Sequence, residues 1–308
     1  MNNPATGQSN RLLLMTILPG LLWSTVFPLS KWLLQTVPPT TLVAVRFSVG
    51  AACLLLFAVY RYSWAAVRSA GRRRWPSFLL LGFFGFFTNN FLQNLGLNLS
   101  TASSASLLST TDPIFTALLS ALILKETLTG RKLLGLTLSF FGVYLVTTNG
   151  QWAIDSSGGL GNVLVIASAI GYSVYTVFSK RLLHAEEPPI VVAWSTAVGA
   201  LLLLVAALLM DPPTSWTQLS GSELLILSYL SIVPTVVPVV IYSYLLRQVQ
   251  ASQAAITLFL IPAFSLIWSV LLLHERLTWP MLLGGALILS GVALSLNQGR
   301  RAARQVEH

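Results

Sequence analysis

Ten long apolar runs dominate the sequence and constrain its fold more than any other feature. They lie at approximately residues 12–34, 40–60, 78–98, 102–124, 133–149, 161–183, 190–210, 223–245, 253–273 and 278–296. A helix of roughly 20 apolar residues crosses the hydrocarbon core of a bilayer, which is about 30 Å thick. We therefore predict an all-α integral membrane protein with ten transmembrane helices, whose short connections leave no room for a large soluble domain.

Lysine and arginine are distributed unevenly between the two sets of connections. Fifteen of the 18 basic residues fall in the tails and in alternate connections, namely Arg11, Arg61, Arg68, Arg72, Arg73, Arg74, Lys125, Arg131, Lys132, Lys180, Arg181, Arg247, Arg300, Arg301 and Arg304. The opposite connections contain only Arg276. Because cytoplasmic connections are enriched in basic residues, we predict that both termini are cytoplasmic. The net charge of +9 then reflects topology, and no nucleic-acid partner is predicted.

Residue patterns for metal, redox or nucleotide chemistry are sparse. Cys53 is the single cysteine and lies in an apolar run, while His184, His274 and His308 fall in predicted connections or the tail. No Gly-x4-Gly-Lys-Ser/Thr segment is present to hold a nucleotide phosphate. No nucleophile–base or metal-ligand spacing occurs either. We therefore predict no cofactor, no intrinsic ATP-driven motor and no enzyme activity.

The sequence contains an internal repeat with an offset of 149 residues. Residues 113–143 align with residues 262–292, and each segment carries a (Lys/His)-Glu-x-Leu-Thr motif, with Glu126 in the first and Glu275 in the second. A proline, a Leu-Leu-Gly and a Gly-Val match in the same register. Repeats on this scale mark a duplicated structural unit.

The repeat divides the chain into two five-helix halves, residues 1–149 and 150–308. Because five is an odd number, each helix of the second half must cross the membrane in the direction opposite to its counterpart. This is an inverted-topology repeat, an arrangement suited to alternating access to a central site.

The doubled arrangement and the repeated Glu-x-Leu-Thr motif before a Leu-Leu-Gly helix resemble the EamA family of the drug/metabolite transporter superfamily. The resemblance covers essentially the whole chain. It implies export or exchange of small metabolites such as amino acids, nucleosides or toxic organic compounds, without an ATP-hydrolysing part.

Two charged residues lie well inside predicted spans, away from their ends, and have no charged counterpart in the other half. Arg46 corresponds to Ser195, and Asp112 corresponds to Ile261. Since intramembrane charge is costly, both are candidates for substrate binding, with Asp112 also a candidate protonation site. The alternatives are structural: Arg46 could bond to helix carbonyls or to Asp112, and Asp112 could serve as the N-cap of a helix continued by Pro113.

Other candidates come from polar and aromatic residues within or beside the spans. Asn90 and Asn94 lie one turn apart and share a helix face, so they could line the cavity or bond to a neighbouring helix. Trp23 and Trp268 are candidate wall residues, with ordinary helix packing as the alternative. Tyr172 and Tyr175 of the sixth span suit a flat or amphipathic substrate, with a position at the lipid interface as the alternative, and Tyr175 is the preferred candidate.

The paired Glu126 and Glu275 follow long apolar runs. We interpret them as helix-terminal anchors or gating residues.

Together these features predict a secondary transporter that moves a small-molecule substrate across the inner membrane, with amino acids as the leading class. Lipid surrounds the protein, and a proton is the candidate coupling ion. One alternative is efflux of organic cations or drugs. Another is a membrane scaffold or receptor that does not transport. The sequence makes no prediction of oligomeric state.

Overall fold

The computed structural model describes residues 4–100, 105, 108–148, 150–151, 159–211, 219–264, 268 and 278–306, and most of these residues are helical, with turns and short irregular segments such as 124–129 between the helices. No strand occurs within these ranges. The predicted all-α class is therefore confirmed for the described residues.

The first half contains, among its described residues, α1 (Pro4–Trp23), α2 (Val26–Leu33), α3 (Pro39–Tyr62), α4 (Trp64–Leu81), the π segment (Gly82–Thr88), α5 (Asn89–Leu99), α6 (Asp112–Ile123) and α7 (Gly130–Thr148). Further helices and a 3₁₀ turn follow in the described part of the second half. They are α8 (Gly159–Ala185), α9 (Pro188–Met210), α10 (Gly221–Gln248), α11 (Ala251–Ile256), the 3₁₀ turn (Thr257–Phe259) and α12 (Trp279–Val306).

Within the described ranges, five helical stretches are long and apolar enough to cross a membrane. They are Leu12–Leu33, Pro39–Tyr62, Gly159–Ala185, Pro188–Met210 and Gly221–Gln248. Asp112–Ile123, Ala251–Phe264 and Trp279–Ser295 are shorter apolar helices. Large apolar side chains such as Leu122, Leu209 and Leu225 are exposed on the outside of the bundle. A surface of this kind suits hydrocarbon rather than water.

The structure corrects one sequence expectation, that residues 61–77 form a connection. Most of this segment belongs to α4, which begins at Trp64 and bends at Arg74, where φ is −115° and ψ is 17°. Pro76 follows and lacks the N–H group that a regular helix needs there. Trp194 of α9 holds the first part of α4 in place, because its Nε1 donates to the carbonyl of Val67 over 2.9 Å. The arginine-rich connection is therefore a helix that bends before it joins the bundle.

Repeat-related lysines make the same contacts in the two halves. Lys31 Nζ donates to the main-chain oxygens of Leu97 at 2.9 Å and Ser100 at 3.2 Å. Lys180 Nζ donates to the oxygens of Leu246 and Val249, each 149 residues further along the chain. Each lysine therefore neutralises the carbonyl end of a neighbouring helix, where a positive charge is favourable.

Repeat-related glycines bring α7 and α12 into close antiparallel contact. Gly135 packs against Gly291, and Gly142 packs against Gly284. The later glycine of one helix therefore faces the earlier glycine of the other, as in an antiparallel pair. A Cβ atom added at Gly142 would lie only 2.6 Å from the oxygen of Gly284. The two helices occupy equivalent positions in the repeat and run in opposite directions, as an inverted arrangement requires.

Candidate functional site

A cavity of about 960 Å³ lies between helices of the two halves. Its wall combines charged, amide and aromatic side chains. They include Trp23, Phe27, Arg46, Phe86, Asn89, Asn90, Gln93, Asp112, Tyr172 and Thr235. This volume includes space that is open to solvent, and the mixture of apolar walls with a few polar groups is typical of sites that bind small molecules.

Both halves interrupt a helix at the cavity, and they do so by different means. In the first half, the π segment Gly82–Thr88 replaces regular α-helix, and its Gly85 lies in the wall. In the second half, the repeat places Pro234 at the position equivalent to Gly85, and this proline also lies in the wall. Interrupted helices free backbone groups and redirect side chains, which is why they often adjoin binding sites.

The interruption at Pro234 positions Arg46. Pro234 cannot donate to the carbonyl of Leu230, so the hydroxyl of Thr235 donates to that oxygen instead, over 2.8 Å. The same hydroxyl accepts a hydrogen bond of 2.8 Å from Arg46 Nε. The guanidinium lies 5.0 Å from the ring centroid of Phe47. Arg46 is therefore held at Nε, and its position in the wall leaves the outer part of the guanidinium available to a ligand.

Arg46 carries a positive charge that the surrounding protein does not pair. Its residue is only 4% exposed, yet no carboxylate in the described part of the chain lies within 4.0 Å of it. The ion pair with Asp112 considered from the sequence is therefore not formed in this conformation. A buried charge without a counter-ion is costly, and the cost falls when an anion binds.

Asp112 is held on one carboxylate oxygen and unpaired on the other. Oδ1 accepts hydrogen bonds from Ser173 Oγ at 2.6 Å and Thr116 Oγ1 at 3.1 Å. Oδ2 is buried and has no hydrogen-bond partner among the described residues. The N-cap interpretation is corrected: α6 begins at Asp112 itself, after Thr111, and the side chain bonds to Ser173 of another helix instead of capping.

The amide-rich stretch of α5 places some of its members in the wall and others behind it. Asn89, Asn90 and Gln93 line the cavity, whereas Asn94 is buried outside the wall. Asn90 Nδ2 donates to the carbonyl of Phe86 over 3.0 Å, and Asn94 Nδ2 donates to that of Asn90 over 3.0 Å. Asn89 Nδ2 donates to the carbonyl of Ser168 over 3.0 Å, so these amides are held by main-chain oxygens while Asn89, Asn90 and Gln93 form the polar wall.

The aromatic candidates also divide into residues that line the cavity and residues that lie behind its wall. Trp23 lies in the wall, and Trp268 Nε1 donates to the hydroxyl of Ser24 beside it over 2.7 Å. Tyr172 lies in the wall, while Tyr175 is buried behind it with the ring centroids 5.4 Å apart.

Gly85 explains the burial of Tyr175. The ring of Tyr175 packs directly on the glycine, where any Cβ atom would collide with it. The sequence indicated both Tyr172 and Tyr175 but favoured the latter. Thr235 was missed, although a threonine directly after a helix-interrupting proline is a recognisable signal for a hydroxyl that repairs the backbone.

A cluster around Glu126 joins the two halves at the end of α6 remote from Asp112. Glu126 Oε1 accepts from the amide of Ala251 at 2.6 Å, and Oε2 accepts from the amide and hydroxyl of Ser252 at 3.2 and 2.7 Å. Lys132 Nζ donates to the same hydroxyl over 3.1 Å and to the side-chain oxygen of Gln250. We call these residues the inter-half latch. Glu275, the repeat counterpart of Glu126, lies outside the described residues.

These features define a class before any relative is considered: a multi-pass membrane protein with an internal repeat and a polar cavity between its halves. The EamA-like transporter family matches residues 10–148 and, a second time, residues 159–297. The chain belongs to this family and is a membrane transporter. Membership favours transport over the scaffold and enzyme alternatives.

Named relatives agree with this assignment. An uncharacterized transporter of Bacillus subtilis, YdfC, is 34% identical over 275 residues, covering 89% of this chain and 87% of the relative. A probable amino-acid metabolite efflux pump of Escherichia coli is 29% identical over 298 residues, covering 92% and 93%. A solved crystal structure superposes with a TM-score of 0.79 at 23% identity, covering 96% of this chain and 99% of the other, which establishes the similarity of fold.

Proposed function

We propose that the protein exports a small zwitterionic metabolite, with amino acids as the leading class, across the prokaryotic inner membrane by alternating access. One observation carries the proposal. Two buried groups of opposite charge, Arg46 and Asp112, line one cavity, and neither has a counter-ion within 4.0 Å among the described residues. A zwitterion supplies both missing partners at once.

In the proposed complex, the substrate carboxylate accepts hydrogen bonds from the guanidinium of Arg46. The substrate ammonium donates to Oδ2 of Asp112, and wall amides such as Asn90 complete the polar contacts. Trp23 and Tyr172 then face the substrate side chain and favour apolar ones. The name of the Escherichia coli relative supports this substrate class.

The proposed topology has ten spans, in halves 1–149 and 150–308, with both termini cytoplasmic. The antiparallel contact of α7 with α12 and the two family matches support two opposed units. The asymmetry of the basic connections supports the orientation. An alkaline phosphatase fusion placed after residue 155 should be active in the periplasm, whereas one placed after residue 128 should be inactive.

Counterflow in proteoliposomes tests the substrate class. Proteoliposomes that contain the purified protein are loaded with leucine, with its decarboxylated analogue 3-methylbutylamine or with its deaminated analogue 4-methylpentanoate. Uptake of labelled leucine from the outside is then followed. We expect only leucine to drive accumulation, because each analogue leaves one wall charge unpaired. Equal exchange by the amine alone would overturn the zwitterion proposal.

Organic cation efflux is the second candidate, and the unpaired oxygen of Asp112 among aromatic wall residues favours it. It predicts that Arg46→Ala leaves transport intact while Asp112→Asn abolishes it. The zwitterion proposal predicts that both variants are impaired. The same counterflow assay, run with leucine and with a quaternary ammonium probe, separates the two candidates.

We also propose that Asp112 carries the coupling proton. Its Oδ2 is buried without a partner, while Arg46 and Tyr172 are the other ionisable groups in the wall. A carboxyl that alternates between a proton and a substrate ammonium would couple the two fluxes. We expect an imposed pH gradient to drive leucine accumulation in the wild type but not in Asp112→Asn, with thermal unfolding measured in parallel to establish that the variant is folded.

The inter-half latch is proposed to keep one end of the cavity closed. Glu126 follows α6, a helix of about 18 Å that begins at Asp112 in the wall. Its partner segment continues from Ala251 to the wall residue Ile261. Opening this end therefore requires the contacts of Glu126 with the second half to break.

Sided labelling tests the latch. In a Cys53→Ser background, Ile261→Cys is exposed to a membrane-impermeant maleimide from the side that carries the basic connections. Glu126→Gln should raise the labelling rate, since a neutral amide holds the two backbone amides more weakly. Glu187→Gln, which removes an exposed ion pair with Arg247 at the same end, is the matched control and should leave the rate unchanged.

A further inference from the structure

A second cavity, of about 590 Å³, lies between α4 and α8 at the end of the bundle that carries the basic connections. Arg74 and Ser77 of α4 and Arg181 of α8 form its polar rim. It shares no wall residue with the central cavity. The substrate proposed for the central cavity therefore does not account for the residues of this second cavity.

The rim carries more positive than negative charge. Glu186 Oε1 accepts from Arg73 Nη2 at 2.7 Å and from Arg74 Nε at 3.4 Å, so one carboxylate serves two guanidinium groups. Arg181 Nη2 donates to the carbonyl of Ile123 over 2.7 Å and has no carboxylate within 4.0 Å in the described part of the chain. The rim therefore favours an anion that can bridge Arg74 and Arg181.

Below the rim, the cavity is lined by apolar side chains, among them Leu80, Phe178 and Leu182. Leu79, beside Leu80 on α4, is exposed on the outer surface of the bundle. An ion such as free phosphate gains nothing from these walls. A ligand with an anionic head and a hydrocarbon tail matches both parts of the cavity.

The bend in α4 lies beside exposed residues of the type found at the membrane interface. Before the bend at Arg74, α4 presents Trp64 and the basic side chains of Arg68 and Arg72 at its surface, and Trp75 at the bend is also exposed. Tryptophan and arginine together are typical of the membrane interface. Beyond the bend the helix becomes apolar, so the polar rim and the apolar walls follow the polarity of one bilayer leaflet.

We propose that this cavity binds an anionic glycerophospholipid of the surrounding bilayer, with phosphatidylglycerol as the representative headgroup. The lipid phosphate lies between Arg74 and Arg181 and accepts from the hydroxyl of Ser77. One acyl chain runs along Leu80 and Phe178. The bound lipid supplies the counter-charge that Glu186 alone does not provide.

Native mass spectrometry of the delipidated full-length protein tests the site, with phosphatidylglycerol and phosphatidylcholine as probes. The double variant Arg74→Ala/Arg181→Ala should bind phosphatidylglycerol roughly 10- to 30-fold more weakly than the wild type. The matched control is Arg68→Ala/Arg72→Ala, which removes the same charge from α4 outside the cavity. The control should retain the first bound phosphatidylglycerol with an affinity within about threefold of the wild type.

Two further variants keep the test decisive if the double variant does not fold. Arg181→Ala preserves the contact of Arg74 with Glu186 and should still weaken binding several-fold. Leu80→Trp fills the apolar part, retains both arginines and should also weaken binding. The proposal is overturned if these variants bind like the control, if phosphatidylcholine binds as tightly as phosphatidylglycerol, or if inorganic phosphate displaces the lipid at equal concentration.

Discussion

The two halves of the protein are alike where they support the fold and different where they face the cavity. Lys31 and Lys180 bond to equivalent carbonyls, and equivalent glycines pack α7 against α12. In the cavity, by contrast, Arg46 corresponds to a serine and Asp112 to an isoleucine. The comparison supports the proposal that Arg46 and Asp112, which are not duplicated, bind the substrate, whereas the duplicated lysines and glycines support the framework. A charge pair that is not duplicated can orient a substrate.

The largest expected effect separates Arg46 from its counterpart Ser195. Arg46→Ala should raise the half-saturation concentration for leucine by roughly 30- to 1000-fold, because a buried charged hydrogen-bond partner is worth about 2–4 kcal/mol. Ser195→Ala should change it by less than about threefold. Counterflow titration measures both, with thermal unfolding as the check on folding. Equal effects of the two variants would remove the distinction between the halves.

The second prediction concerns Asp112, whose counterpart is Ile261. Asp112→Asn keeps the side-chain shape and the contacts to Ser173 and Thr116 while removing the charge. We expect roughly tenfold weaker leucine binding and loss of pH-driven accumulation. Ile261→Val, a small apolar change at the equivalent position, should preserve both properties. Normal pH dependence in Asp112→Asn would assign the coupling to another group.

The third prediction tests the shared framework. Gly142→Ala and Gly284→Ala should each lower the free energy of unfolding by about 1–3 kcal/mol, because each added methyl group collides with the backbone of the facing helix. Gly130→Ala is the control, since no atom lies within 4 Å of the position its Cβ would occupy. Thermal unfolding in detergent measures the change. Unequal losses at Gly142 and Gly284 would show that the two halves support this contact differently.

The smallest expected effect concerns the lysines. Lys31→Met and Lys180→Met should each cost about 1 kcal/mol of stability, the scale of a cation at the carbonyl end of a helix. The two losses of stability should be equal, because the two lysines make equivalent contacts. A much larger loss at Lys180 would indicate that this lysine also supports the inter-half latch, with which it shares one end of the bundle. Chemical denaturation in mixed micelles resolves differences of this size.

The repeat and its helical framework could be predicted because they depend on periodic apolar runs and on a fixed offset in the chain. The contact of Arg46 with Thr235 could not be predicted in this way, since it joins residues 189 positions apart and depends on a carbonyl that Pro234 leaves free. Tyr172 and Tyr175 are three residues apart on one helix. Only the packing on Gly85 decides which of them reaches the cavity. The sequence pattern therefore identified the candidate charged residues but not the side chains that hold them in position.

Two other differences between the sequence predictions and the structure have local causes. The arginine-rich segment 61–77 was predicted as a connection because its mean hydropathy is low, yet a helix at the membrane interface tolerates the same composition. Asn94 shares a face with Asn90, but its Nδ2 donates to the carbonyl of Asn90 and the side chain lies behind the wall. Spacing along a helix identifies a face, and the neighbouring helices determine how much of that face is open.

The glycine contact between α7 and α12 has a consequence for the origin of the chain. The contacts of Gly135 with Gly291 and of Gly142 with Gly284 are a single contact that occurs twice, since each pair is the image of the other under the repeat. An unduplicated ancestor with these two glycines would match an upside-down copy of itself without any further change. A fusion of two such copies would keep this self-complementary contact between helices. Selection could then change the cavity residues of one copy without disturbing the contact that joins the two copies.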